Sequence, residues 1–163
     1  GRVRCAAVTV VGIRRGDGRV LVRSRDGDYL MQEHPEVAAV LEANAAFYRA
    51  FGALDIDQMS AIWSRDDSIR CVHPGWPLLT GREPVIDSWA GIFNNAAVMQ
   101  FNIVDVEVTL EADFAWVVCT ERLTSVQGGQ VAEGRVQTTN LFRKEAEQWL
   151  MVHHHGSPLM TRG

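Results

Sequence analysis

From Val104 to Glu111 apolar and polar residues alternate strictly. Val104, Val106, Val108 and Leu110 fall on one side of an extended chain, and Asp105, Glu107, Thr109 and Glu111 on the other. A period of two fits a half-buried strand and no helix, because successive side chains of a strand point to opposite faces. Three further strand-like segments follow, about Phe114–Val126, Val131–Lys144 and Gln148–His155, with turn signals at Gly128-Gly129 and Glu145-Ala146-Glu147. Four strands joined by short turns form an antiparallel meander. Along Phe114–Thr124, Trp116 and Val118 take one face and Val117, Cys119 and Leu123 the other, so neither side suits water. Helices cover one face of such a sheet, which leaves the convex face for a partner; a twofold homodimer is the expectation.

The segment before the meander carries helical spacing. His34-Pro35 opens a helix with Val37, Leu41, Asn44 or Ala45, Tyr48 and Phe51 on one face and Gly52 as its C-cap. Asp55 and Gln58 form a capping box for a second helix with Ile56, Met59, Ile62 and Trp63 buried. A short strand, Ser68–His73, turns Ile69, Cys71 and His73 to one side, and a loop His73-Pro74-Gly75-Trp76-Pro77 follows it. Thr80 and Glu83 supply a second capping box, for a third helix with Val85, Ile86, Trp89, Ile92 and Phe93 inward. Ahead of all this, Val3–Arg25 reads as strand, turn at Arg15-Gly16-Asp17-Gly18, and strand. The expected layout is an N-terminal β-hairpin extension over residues 1–33 and one α+β domain over 34–160.

Composition narrows the function classes. A net charge of -4 and a pI near 5.7 give no basic footprint for nucleic acid. No apolar run approaches the roughly 20 residues that span a bilayer. Three widely spaced cysteines, Cys5, Cys71 and Cys119, suggest reduced thiols in a cytoplasmic protein and neither a disulfide framework nor a zinc knuckle.

Asp55-Ile56-Asp57, Asp66-Asp67-Ser68, His73-Pro74-Gly75, Thr80-Gly81-Arg82 and the closing Trp149 to Ser157 occur in an order that resembles the nuclear-transport-factor-2-like superfamily. Its SnoaL-like polyketide-cyclase and ketosteroid-isomerase relatives are the nearest in pattern, and the last strand is also similar to the calcium/calmodulin-dependent kinase association domain. The resemblance implies a cone-shaped, curved antiparallel sheet wrapped around three helices, a pocket on its concave side, a homodimer through its convex side, and chemistry without a cofactor or metal. Function does not follow from that fold.

Where a ketosteroid isomerase has its aspartate base, this sequence has His73, which can also move a proton near neutral pH. The family's tyrosine falls at Phe47, with Tyr48 one residue away, and its protonated aspartic acid falls at Asn140, whose amide can donate without a raised pKa. Each position has an equally good structural reading as a hydrogen-bonded core residue. Trp76, Trp89, Trp116 and Phe142 are candidates for an aromatic pocket wall, with Trp76 as a lid. His153 and His155 share a face with Trp149 and Met151 in a regular strand and line the cavity or the dimer seam, while His154 points away. With His73 those two would make three imidazoles, a weaker, zinc-like alternative. Arg82 reads as a surface residue of the third helix's first turn and Glu121 as a solvated strand residue; either becomes an anion or proton partner if it points inward. Two functions stay open: a cofactor-independent isomerase, cyclase or dehydratase acting on a small apolar carbonyl compound through His73 and Asn140, or a non-catalytic ligand-binding or dimerisation module.

Overall fold

Proline at the first helical position costs no hydrogen bond, and the His34 side chain accepts from the Val37 amide, so helix α1 starts at Pro35 and runs to Ala53. The structure, a computed structural model, describes residues 8–13, 19–23, 29–127 and 129–160. Helix α1 buries Val37, Val40, Asn44, Phe47, Tyr48 and Phe51, so its inward stripe lies about one position away from Leu41 and Ala45. It ends on Leu54 in the left-handed region, φ 53°, and not on Gly52. Helix α2, Ile56–Ile62, has the expected cap: Asp55 accepts from both the amide and the side chain of Gln58.

Strands β4 (Arg70–Val72) and β5 (Leu79–Thr80) lead to helix α3, Arg82–Asn95. The Thr80–Glu83 capping box does not form, because Thr80 belongs to β5 and Gly81 takes the N-cap position with φ 92°. Asp67 from the preceding loop accepts from the Arg82 amide in its place. The long strands are β6 (Val98–Glu111), β7 (Phe114–Gln127), β8 (Gln130–Glu145) and β9 (Gln148–Pro158). Strands β4–β9 make a curved, unclosed mixed sheet, parallel only between β4 and β9, and the helices pack against it.

The N-terminal hairpin is present as β1 (Val8–Ile13) and β2 (Arg19–Arg23); its turn lies outside the described residues. A third strand, β3 (Tyr29–Glu33), was not anticipated. β1 pairs with β6, so these strands continue the same sheet in the order β3-β2-β1-β6-β7-β8-β9-β4-β5.

Two bulges reset which residues face the helices. In β6 the pairing steps from Val104↔Thr120 to Glu107↔Val118, one residue more on β6 than on β7, and Asp105 turns to φ 52°. Val108 and Leu110 are buried as expected, but Val104 lies on the opposite face, and Phe101 and Ile103 join the core side. In β9 the pairing steps from Leu141↔His153 to Phe142↔Met151, which leaves Val152 as the extra residue.

Gly156 shows how closely the loop after β4 approaches β9. A Cβ there would sit 3.0 Å from Pro74 Cγ and 3.0 Å from Val136 Cγ1. Gly156→Ala is therefore expected to cost about 1–3 kcal/mol through overpacking, read as a lower urea midpoint at unchanged slope.

Candidate functional site

The bulge at Val152 decides the fate of the three histidines. Beyond it His154, not His153 or His155, turns into the core beside Cys71 and Asn140, its partners on β4 and β8. His154 is buried, whereas His155 is exposed and His153 half-buried on the outer face, their rings 6.1 Å apart. His73 lies on the inner side, so the three imidazoles of the zinc-like alternative do not meet. Among the described residues no three His, Cys, Asp or Glu side chains form a metal-holding group.

The inward faces of α1, β7, β8 and β9 bring one polar network into the apolar core. Asn140, with no exposed surface, donates from Nδ2 to Asn44 Oδ1 at 2.8 Å and more distantly to Tyr48 Oη at 3.4 Å. Its Oδ1 faces His154 Nδ1 at 2.7 Å, so the imidazole donates and carries its proton on Nδ1. Tyr48 donates to Glu121 Oε1 at 2.8 Å and lies 3.4 Å from Cys119 Sγ. Glu121 is 4% exposed, which corrects the reading of it as solvated. Burial pushes its carboxyl above the usual range, and Tyr48 is pushed up first by burial and then by Glu121. Burial also raises the Cys119 and Cys71 thiols to about 12, so neither is a nucleophile at neutral pH.

Tyr48 enters this network without any shift of helical register. Phe47 turns to the other side, edge-on to Trp89 at 5.4 Å and against His154 at 5.1 Å.

His73 is buried, 3% exposed, and burial lowers its pKa to about 4. Ser88 Oγ spends its proton on the Val85 carbonyl at 2.6 Å, so it must accept from His73 Nε2 at 2.8 Å. The remaining lone pair, on Nδ1, has the buried Cys71 Sγ 4.0 Å away. The His73 ring packs edge-on against Trp89 at 4.5 Å and Trp76 at 5.0 Å, and lies 6.3 Å from the His154 ring. His73 and Asn140 thus belong to one buried cluster with His154, Phe47 and Trp89 packed about it, and both are satisfied by protein partners.

The aromatic candidates separate. Trp89 and Phe142 are core residues; Trp116 pairs with Thr109 and Leu141 on the outer face, away from the helices. Trp76, 46% exposed, edges a groove of about 380 Å3 with Ile92, Val98 and Met99. Arg82, expected on the surface, ties down the end of α2 by donating to the carbonyls of Ser60, Trp63 and Ser64.

A second groove, about 710 Å3, opens between α1 and β6. Leu41, Ala45, Phe101, Ile103 and Val106 give it apolar walls, and Asn44 and Tyr48 bring the polar network to its surface. Asn44 was not a sequence candidate, and Glu121 was one only on the condition that it point inward. Asn44 carried a signal, a polar residue at an inward helical position; Glu121 shared the inward parity of Val117 and Cys119.

The SnoaL-like domain family matches residues 40–161, and the chain belongs to that family. The order of motifs that resembled the nuclear-transport-factor-2-like superfamily is borne out. A proposed dehydratase of the NTF2-like family from Streptomyces avermitilis is 34% identical, covering 77% of this chain and 97% of its own, with a TM-score of 0.73. A proposed calcium/calmodulin-dependent protein kinase type II association domain from Thiobacillus denitrificans is 35% identical, covering 77% of this chain and 95% of its own, with a TM-score of 0.67. The F-box protein SKIP8 of Arabidopsis thaliana is 30% identical over 122 residues, 75% of this chain. The chain spans 50% of that curated relative's length. Among the described residues no helix is long and apolar enough to cross a membrane.

Proposed function

We propose that the chain binds a small, largely apolar molecule with one hydrogen-bond acceptor in the groove between α1 and β6. The observation that carries this reading is the meeting of an apolar cleft with Asn44 and Tyr48, the outer members of an otherwise buried network. Asn44 accepts from Asn140 through Oδ1, and its Nδ2 protons remain for a ligand carbonyl or hydroxyl. A cleft with apolar walls and few polar groups is the usual form of a small-molecule site.

Glu121 favours a second, catalytic reading. Burial raises the pKa of its carboxyl, and it accepts from Tyr48 on the groove wall, the pairing through which a proton for acid–base isomerisation or dehydration would reach a ligand. The dehydratase relative supports this, and Glu121 with Tyr48 then replaces His73 and Asn140 as the reactive pair. The homodimer is proposed through the outer sheet face, where Trp116, Val118 and Leu141 remain only half-buried in the single chain.

Native mass spectrometry of the protein purified from cells tests both readings. The expected result is a retained small molecule that Ala45→Trp, which fills the groove without touching the network, displaces. Glu121→Gln should keep the molecule and abolish any turnover of it. Retention in Ala45→Trp overturns the assignment of the groove, and turnover by Glu121→Gln overturns the catalytic role. A monomer mass removes the dimer.

A further inference from the structure

Most cations among the described residues are committed to a partner. Arg49 pairs with Glu42, Arg143 with Glu145 and Asp66, and Lys144 with Glu36 and Glu147. Arg70 donates to three backbone carbonyls, and Arg82 holds the end of α2. Arg65 is exposed and alone, whereas Arg122 and Arg135 lie together. They sit directly opposite each other on β7 and β8, and among the described residues no acid lies within ion-pair distance of either.

Like charges directly opposite on adjacent strands destabilise a sheet. Asn102 of β6 extends the row on the far side of Arg122. The neighbouring row, Gln100, Thr124 and Glu133, is in register with it on the same face. Both rows line a groove of about 750 Å3, together with Phe101, Leu123 and Leu159. With two arginines and one glutamate the lining carries a net positive charge of one.

We propose that this groove is a binding site for a small organic monocarboxylate with an apolar body, distinct from the groove between α1 and β6. The planar guanidinium forks of Arg122 and Arg135 match the two oxygens of a carboxylate, whose single charge relieves the repulsion across the strands. Asn102, Gln100 and Thr124 offer further hydrogen bonds at the polar edge. Phe101 and Leu123 turn their side chains to the helix side and give the groove only backbone, so Leu159, exposed at its edge, provides the apolar contact that inorganic anions do not use. Glu133 opposes a second negative charge, so the site selects monoanions over dianions. The row lies on the same outer face as Trp116 but about 20 Å along β7 from it, toward the far end of the strand from the apolar patch proposed for the dimer.

The test uses benzoate, with benzamide as its neutral counterpart of the same shape, titrated into the full chain while backbone amide NMR signals are followed. Saturable shifts confined to 100–102, 122–124 and 133–135 with benzoate, and none with benzamide, are expected. Arg122→Gln and Arg135→Gln should each weaken binding roughly tenfold or more, as loss of a charge-assisted bond does. Arg65→Gln, which removes a lone exposed cation elsewhere, should change nothing. Without ligand, Arg122→Gln should be as stable as the parent or more so, because repulsion is removed. No localised shift, equal shifts with benzamide, or equal loss in Arg65→Gln overturns the site. Inorganic phosphate binding as tightly as benzoate overturns the choice of a carboxylate with an apolar body. If an arginine variant fails to fold, chloride competition on the parent decides: benzoate binding that ignores ionic strength contradicts ion pairing at exposed arginines.

Discussion

Asn140→Ala is expected to destabilise the chain by about 3–5 kcal/mol, the loss of a buried side chain that is also the centre of a polar network. Three groups lose their partner at once. The Asn44 carbonyl loses its donor, the His154 Nδ1 proton loses its acceptor, and Tyr48 loses its third contact. His154 is enclosed and cannot turn to water, and Asn44 and Tyr48 meet it only at the edge of the groove between α1 and β6. Asn140→Asp keeps the volume but replaces two donors with a carboxyl that faces Tyr48 and Asn44 Oδ1, so it should cost nearly as much at neutral pH. Denaturant unfolding of both variants measures this. A cost below about 1 kcal/mol for Asn140→Ala would mean that water enters and re-pairs the network, which would reopen Asn140 as a ligand-binding group.

The architecture was legible where one period persisted over a whole element. Three helical stripes, the Asp55–Gln58 cap and four long strands follow from spacing alone, and Asn140, Thr138, Val136 and Phe142 share a face as parity requires. What misled was parity carried across an irregularity. A bulge adds one residue and exchanges the faces beyond it, and no residue type marks Asp105 or Val152 as a bulge. For that reason His154 and not its neighbours reached the core, and Val104 left it. Glu121 was read first as solvated for a different reason. A charged residue in a strand is read as solvated unless a partner is known, and its partner Tyr48 lies 73 positions away. Arg82 repeats the lesson, since its acceptors are the carbonyls at the end of α2, which exist only once the helix has formed.

The same burial that satisfies the histidines makes the fold acid-labile, and His73 sets the expected slope. In the unfolded chain its imidazole takes a proton near pH 6.5; in the folded chain it does so only near 4. Between those values the unfolded state holds the extra proton, so stability falls as pH falls, by about 3 kcal/mol across the window, and no further below it. His154, held well below its ordinary pKa first by burial and then by His73, adds a loss of the same sign. Glu121 works against them. Its raised pKa means that the folded state takes up a proton sooner than the unfolded one, so this group contributes stability as pH falls toward 4.5. Unfolding in urea at closely spaced pH values should therefore show a net decline from pH 6.5 downward. Glu121→Gln should make that decline steeper, and His73→Gln, which retains a donor toward Ser88, should make it shallower by one proton's worth. If His73→Gln has the parent's pH profile, then His73 is protonated or hydrated in the folded state, and the argument that packing has silenced it as a base no longer holds.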